Sequence, residues 1–248
     1  MNFPIYFFCF FSFISLFFQG SASASVVMTN TRIIYPNNVQ ETTVQLTNND
    51  MSPNVVQVWT DNGDAQSTPD TANGPFLALP AIFKIEPKRG QLIRLIYTGG
   101  ELPKDRESIF YFNFLQVPSL PKSDRDENKM VLMLKNRIKV FYRPVEMPFS
   151  SDDIHKHISF SVKYAANGLV VEVDNSSSFY ASLIDAKIIS GKQELIVPLD
   201  MVEPKSNMSI EVRNENFVLT YPMTVEFILV NDFGGHVKNT YIIDKPDN

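Results

Sequence analysis

Along the body of the chain, apolar and polar residues alternate over short distances with the two-residue period of β-strands, and no helical repeat is sustained. Thr43-Val44-Gln45-Leu46 and Val55-Val56-Gln57-Val58-Trp59 each place apolar side chains on one face and polar ones on the other, as half-buried antiparallel strands do. The pattern predicts strands at 26–35, 41–47, 54–61, 81–86, 91–97 and 108–117, then one long strand at 129–144. Residues 145–153 form a loop-like stretch rich in Ser and Asp. A second series follows at 157–164, 168–174, 179–189, 194–198, 208–212, 223–230 and 237–243.

Two successive sets of seven short strands predict an all-β protein, two immunoglobulin-like β-sandwich domains in tandem, covering 25–146 and 147–248 with a cleft between them. The Cys pair that links the sheets of antibody domains is absent, so Trp59 is expected to pack on aliphatic residues alone. Within 129–144, alternation sets Met130, Leu132, Leu134, Ile138 and Val140 on one side and Val131, Met133, Lys135, Arg137, Lys139 and Phe141 on the other. Neither face of its first half is polar. Burying the whole segment would require each cation to be paired, whereas leaving it on an edge invites another chain to pair with it.

The first residues are a different material. Met1 to Gln19 is Phe-rich and uncharged, and Gly20-Ser21-Ala22-Ser23-Ala24-Ser25 follows, which fits a signal peptide at 1–24 cleaved after Ala24; the alternative is an uncleaved anchor. Either takes the body of the protein across a membrane. No later apolar run reaches spanning length, so no stable membrane insertion is expected after cleavage. The single cysteine, Cys9, lies in this leader, leaving the mature chain without a disulfide, a Cys-based zinc site or a thiol nucleophile.

A net charge of -5 without a long Lys/Arg cluster argues against nucleic acid as a partner. His155-Lys156-His157 beside Asp152 and Asp153 reads as a solvated linker and not as a metal site. Neither a Gly-x-Ser-x-Gly elbow nor a phosphate loop occurs. The expectation is therefore a non-enzyme with no catalytic residues, no metal and no cofactor.

Four motifs carry a family resemblance: Thr31-Arg32-Ile33-Ile34-Tyr35-Pro36; Ile85-Glu86-Pro87 with Gln91-Leu92-Ile93-Arg94-Leu95-Ile96-Tyr97; Leu102-Pro103-Lys104-Asp105-Arg106-Glu107-Ser108; and Arg137-Ile138-Lys139-Val140-Phe141-Tyr142-Arg143-Pro144. In this order they resemble the PapD-like periplasmic chaperones of pilus assembly, and Asn231-Asp232-Phe233-Gly234-Gly235 extends the likeness into the second half. The resemblance implies a periplasmic protein that binds pilus subunits by donor-strand complementation and delivers them to an outer-membrane usher. It implies that Arg32 and Lys139 hold a subunit's terminal carboxylate, for which a guanidinium fork and a compact ammonium are suited. Met130, Leu132 and Leu134 would enter the subunit's unfinished core, and Glu107, Arg143 and Asp232 would form an ionic contact between the domains, read here as setting orientation at the 0 to 1 kcal/mol scale of surface pairs.

Burying three such side chains supplies roughly 5 to 9 kcal/mol, against an association cost of about 4 to 15 kcal/mol. Backbone pairing and the carboxylate anchor must therefore contribute to capture. The polar connection at 118–128 reads as a loop that orders on binding. A second copy of the chain is a further candidate partner of the free protein, whose oligomeric state the sequence leaves open; self-association through the long strand is what the competing reading predicts. The competing reading is an exported structural or adhesive two-domain β protein.

Overall fold

The computed structural model describes residues 25–118, 130 and 132–245, so the expected leader and most of the polar connection lie outside the described residues. The first sandwich contains β1 (Val26–Met28), β2 (Arg32–Pro36), β3 (Glu41–Asn48), β4 (Asn54–Asp61), β5 (Phe76–Leu79), β6 (Ile82–Ile85), β7 (Gly90–Tyr97), β8 (Ser108–Pro118) and β9 (Leu134–Arg143). One sheet has the order β1-β3-β7-β5 and the other β2-β9-β8-β4-β6. All pairings are antiparallel except β2 with β9, which run parallel. Inward residues from both sheets, among them Leu46, Val56, Ile93, Leu95, Phe112, Phe114 and Val140, form one core.

The second sandwich comprises β10 (Ile158–Ala165), β11 (Gly168–Asn175), β12 (Ala181–Ser190), β13 (Gln193–Pro198), β14 (Met201–Val202), β15 (Ser206–Val212), β16 (Met223–Val230) and β17 (His236–Ile243). Its sheets run β10-β11-β15 and β13-β12-β16-β17, with β14 on β12, around Phe160, Val171, Ile188, Val225 and Phe227. A short 3-10 helix, Ser151–His157, leads into it, capped by the Ser150 hydroxyl, which accepts from the Asp152 N–H. The loop expected across the His-Lys-His run is thus partly helical.

Three strand expectations change. The single strand expected at 26–35 is divided by the bend at Thr29-Asn30-Thr31, which moves the chain from one sheet to the other: β1 pairs with β3 and β2 with β9. Trp59 is buried but lies outside the core between the sheets, because Val56 and Val58 take the inward positions of β4. Its Nε1–H donates to Ser67 Oγ at 3.0 Å in the connection that follows β4.

The long strand is shorter than its apolar pattern. Its pairing with β8 ends at Gln116↔Leu134, two residues before Pro118, which has no N–H to donate, and β2 covers only Lys139 to Arg143. Met130 and Leu132, expected within the strand, lie before its first residue. Exposure falls along the expected inner face from 96% at Met130 through 67% at Leu132 and 42% at Leu134 to 0% at Val140. The anchored end of β9 belongs to this sandwich's own core and the other end does not.

Candidate functional site

Pairing of β2 with β9 brings Arg32 and Lys139 into direct register, about 4.8 Å apart along the hydrogen-bonding direction. Alternation puts Ile33 and Val140 in the core and leaves Arg32, Lys139, Phe141 and Arg143 on the opposite face, toward the second domain. A cleft of about 210 Å³ opens there, lined by Arg32, Phe141, Arg143, Tyr180 and Asp232.

Arg32 is tied across the cleft. Its Nη1 donates to Ser182 Oγ at 3.2 Å and to the Val230 carbonyl at 3.0 Å, and its guanidinium carbon lies 5.7 Å from the Phe141 ring centre. Its Nε is buried without an acceptor among the described residues. Burial pushes the guanidinium pKa down, although Asp232 and Glu107 favour the charge. Lys139 has no hydrogen bond or ion pair among the described residues. Burial lowers its pKa first, Asp200 opposes, and the Arg32 charge lowers it further. Two cations side by side, one with a free buried donor and one without a partner, form a site suited to an anion.

Arg143 joins the two domains. Its Nε donates to Glu107 Oε1 at 2.6 Å, and its Nη1 and Nη2 reach Asp232 Oδ2 and Oδ1 at 2.6 and 2.8 Å. Glu107 Oε2 accepts from the Tyr180 N–H at 2.8 Å, and Asp232 Oδ2 from Ser151 Oγ at 2.8 Å. Burial pushes the Glu107 carboxyl up, with Arg143 and Tyr180 pulling it part-way back. At Asp232 burial also opposes ionisation, but Arg143, Ser151 and Arg32 outweigh it and hold the carboxyl low. Since Glu107 is buried, the surface-pair scale does not apply, and removing one partner of such a group costs about 3 to 5 kcal/mol.

The backbone also joins the domains, through the Glu107 N–H to the Ser178 carbonyl at 2.9 Å. Gly234, at φ +82°, packs its Cα against the Thr31 hydroxyl so closely that a Cβ there would lie 2.3 Å from it. This brings the Asn231–Gly235 turn, and with it Asp232, against the bend before β2.

Another ion pair escaped the sequence reading. Asp61, at the end of β4, accepts two bonds from Arg137, Nη2 at 2.6 Å and Nε at 3.2 Å, and one from Asn113 Nδ2 at 2.6 Å. It is detectable only from strand order, because β8 lies between β4 and β9. Burial raises the Asp61 pKa, but Arg137, Asn113 and the Gly63 N–H outweigh it and the net shift is downward. Its stabilising contribution is therefore complete above the ordinary carboxylate pKa and is lost as pH falls through the lower folded value. Asp61→Asn should lower the thermal midpoint at pH 7, with the gap to the parent closing as the pH falls below the ordinary carboxylate range and through the lower folded value. A gap that is constant with pH would contradict this assignment.

The whole arrangement has counterparts. Residues 25–148 match the N-terminal domain of PapD, described as a pili and flagellar-assembly chaperone, and residues 153–241 match the C-terminal domain of the pili assembly chaperone PapD. The chain belongs to the PapD-like family of periplasmic pilus-assembly chaperones. As a chaperone, it is not an enzyme. It is similar to the chaperone protein HifB of Haemophilus influenzae, 34% identical over 218 residues and 86% of each chain. The probable fimbrial chaperone YadV of Escherichia coli is 32% identical over 89% of this chain and 91% of its own. The crystal structure of YadV superposes with a TM-score of 0.75 at 30% identity, covering 89% of this chaperone and 100% of that chain. Salmonella enterica SafB, solved in complex with SafA pilin, shares the fold with a TM-score of 0.71 at 22% identity, covering 90% and 99%.

Proposed function

We propose that this chaperone captures pilus subunits by lending them the open edge of β9, with Arg32 and Lys139 gripping the subunit's terminal carboxylate. One observation carries the reading: among the described residues β9 has no neighbour at 134–138 on the side that β2 occupies at Lys139 to Arg143. Soluble proteins normally protect such edges. A guest strand lying there occupies the line of β2 and ends at the two cations. Cations select its C-terminus over its N-terminus, so the guest runs parallel to β9, as β2 does.

Met130, Leu132 and Leu134, exposed beside this edge, supply the side chains that complete the guest's core. The captured subunit is then delivered to an outer-membrane usher after a signal peptide at 1–24 has taken the chain to the periplasm. The pilin held by SafB, a protein of the same fold, supports the class of guest.

The test uses a synthetic strand peptide of alternating apolar residues with a free C-terminal carboxylate. Its binding is expected to slow hydrogen exchange at the outward amides of 134–138. The double variant Leu132→Asp, Leu134→Asp is expected to bind it about tenfold or more weakly, because charges replace apolar contacts, while its thermal midpoint stays unchanged. Protection confined to other strands would refute the edge as the binding site.

A further inference from the structure

An edge that receives a guest strand has to be extended before the guest arrives, and among the described residues 134–138 has a strand neighbour, β8, on one side only. Segments with few partners open readily. Side chains on the outer face supply the missing restraint. Lys135 Nζ donates to the carbonyls of Ala65 at 3.0 Å and Ser67 at 2.6 Å, and lies 5.4 Å from the centre of the Trp59 ring, within cation–π range. Two residues on, Arg137 lies 3.3 Å from the Tyr111 ring centre and is bound to Asp61. Lys139, two residues further, has no such bond among the described residues.

The surface that receives Lys135 is itself fixed. Trp59 is buried and bonded to Ser67 Oγ. At the far end of the same connection, the Gly74 N–H donates to the Thr60 carbonyl at 3.0 Å and Thr60 Oγ1 to the Phe76 carbonyl at 2.9 Å. A Cβ at Gly74 would lie 2.5 Å from the Thr60 carbonyl carbon, so only glycine allows this approach. The Lys135 staple sits next to Leu134, where pairing with β8 ends.

We propose that Lys135 is a positioning residue for subunit capture: by stapling β9 to the 62–75 connection it fixes where the preformed edge ends. The inference rests on the reading of β9 as the donor edge. Of the three cations at 135–139 on this face, two then hold the strand and the third is left for the guest.

Lys135→Met keeps an apolar stem over Trp59 and removes the donor, whereas Lys135→Arg keeps it. Lys135→Met is expected to speed hydrogen exchange at the outward amides of 134–138 about tenfold and to shift the emission of Trp59, the single tryptophan. It is also expected to slow association of the free-carboxylate strand peptide about tenfold, with the thermal midpoint within about 2 °C of the parent. Lys135→Arg should restore all of these. Normal association by Lys135→Met, or a loss that accompanies a general fall in thermal stability, overturns the assignment. Hydrogen exchange in the parent separates the two ideas: if the peptide protects 134–138 while Lys135→Met binds it normally, only the staple is refuted, and if protection falls on other strands the donor-edge reading falls with it.

Discussion

Replacing Arg32 or Lys139 by alanine is expected to weaken binding of the free-carboxylate strand peptide by about 30-fold or more and to leave binding of its C-terminal amide unchanged. Removing one partner of a buried charged contact costs about 2 to 5 kcal/mol, and 1.4 kcal/mol is a factor of ten. Comparing acid with amide isolates the carboxylate from the rest of the strand, and titration calorimetry measures both. An equal loss for the two peptides would end the anchoring model.

The two variants should differ in stability. Arg32 is bonded to Ser182 and Val230, so its removal loosens the contact between domains. Lys139 has no bond to lose among the described residues, and burial lowers its pKa in the folded protein. A lysine whose folded pKa lies below its unfolded value penalises folding in full at lower pH, and the penalty is relieved as pH rises from the folded toward the unfolded value. Lys139→Met at pH 7 should therefore melt at or above the parent temperature while losing the preference for acid over amide.

Arg143→Ala is expected to have the largest effect on the fold. It leaves Glu107 and Asp232 facing each other without their cation, at a cost of about 3 to 5 kcal/mol, or a fall on the order of 10 °C in the thermal midpoint. The pH dependence contributed by Asp232 should also change sign. In the parent, Asp232 is held low, so its contribution is lost as the solution is acidified through the folded value; Glu107, held high, acts in the opposite sense and gains on acidification. Without Arg143 both carboxyls are raised, and mild acid should stabilise the variant. Thermal midpoints from pH 4 to pH 7 and small-angle scattering would reveal this along with any splaying of the domains. An unchanged midpoint and an unchanged radius of gyration would show that Arg143 does not hold the domains together.

Much of this molecule was legible in its alternation. The strands at 54–61 and 223–230 have the predicted limits, because a two-residue period bounded by turn residues is a local signal. What depends on neighbours was not. β5 went unpredicted, since its four residues follow a polar connection and gain their partner only from β7. Residues 26–35 do carry a polar break at Thr29-Asn30-Thr31, but only the different partners of its two halves show that the chain changes sheets there. Met130 and Leu132 carry strand-like alternation, yet among the described residues no strand pairs beside them. The family motifs pointed to Arg32, Lys139, Glu107, Arg143 and Asp232, while the partners that set their energies, Ser182, the Val230 carbonyl and the Tyr180 N–H, lie about 70 to 200 residues away and carry no motif.

The parallel seating of β2 on β9 also acts as a buffer stop. Any visitor sliding along the vacant rail meets the backbone of Arg32 head-on, so a polypeptide that continued past that point would collide with it. On the proposed reading, only a chain that finishes there can park fully, which would make the slot a reader of endings and close it to segments from the middle of other proteins.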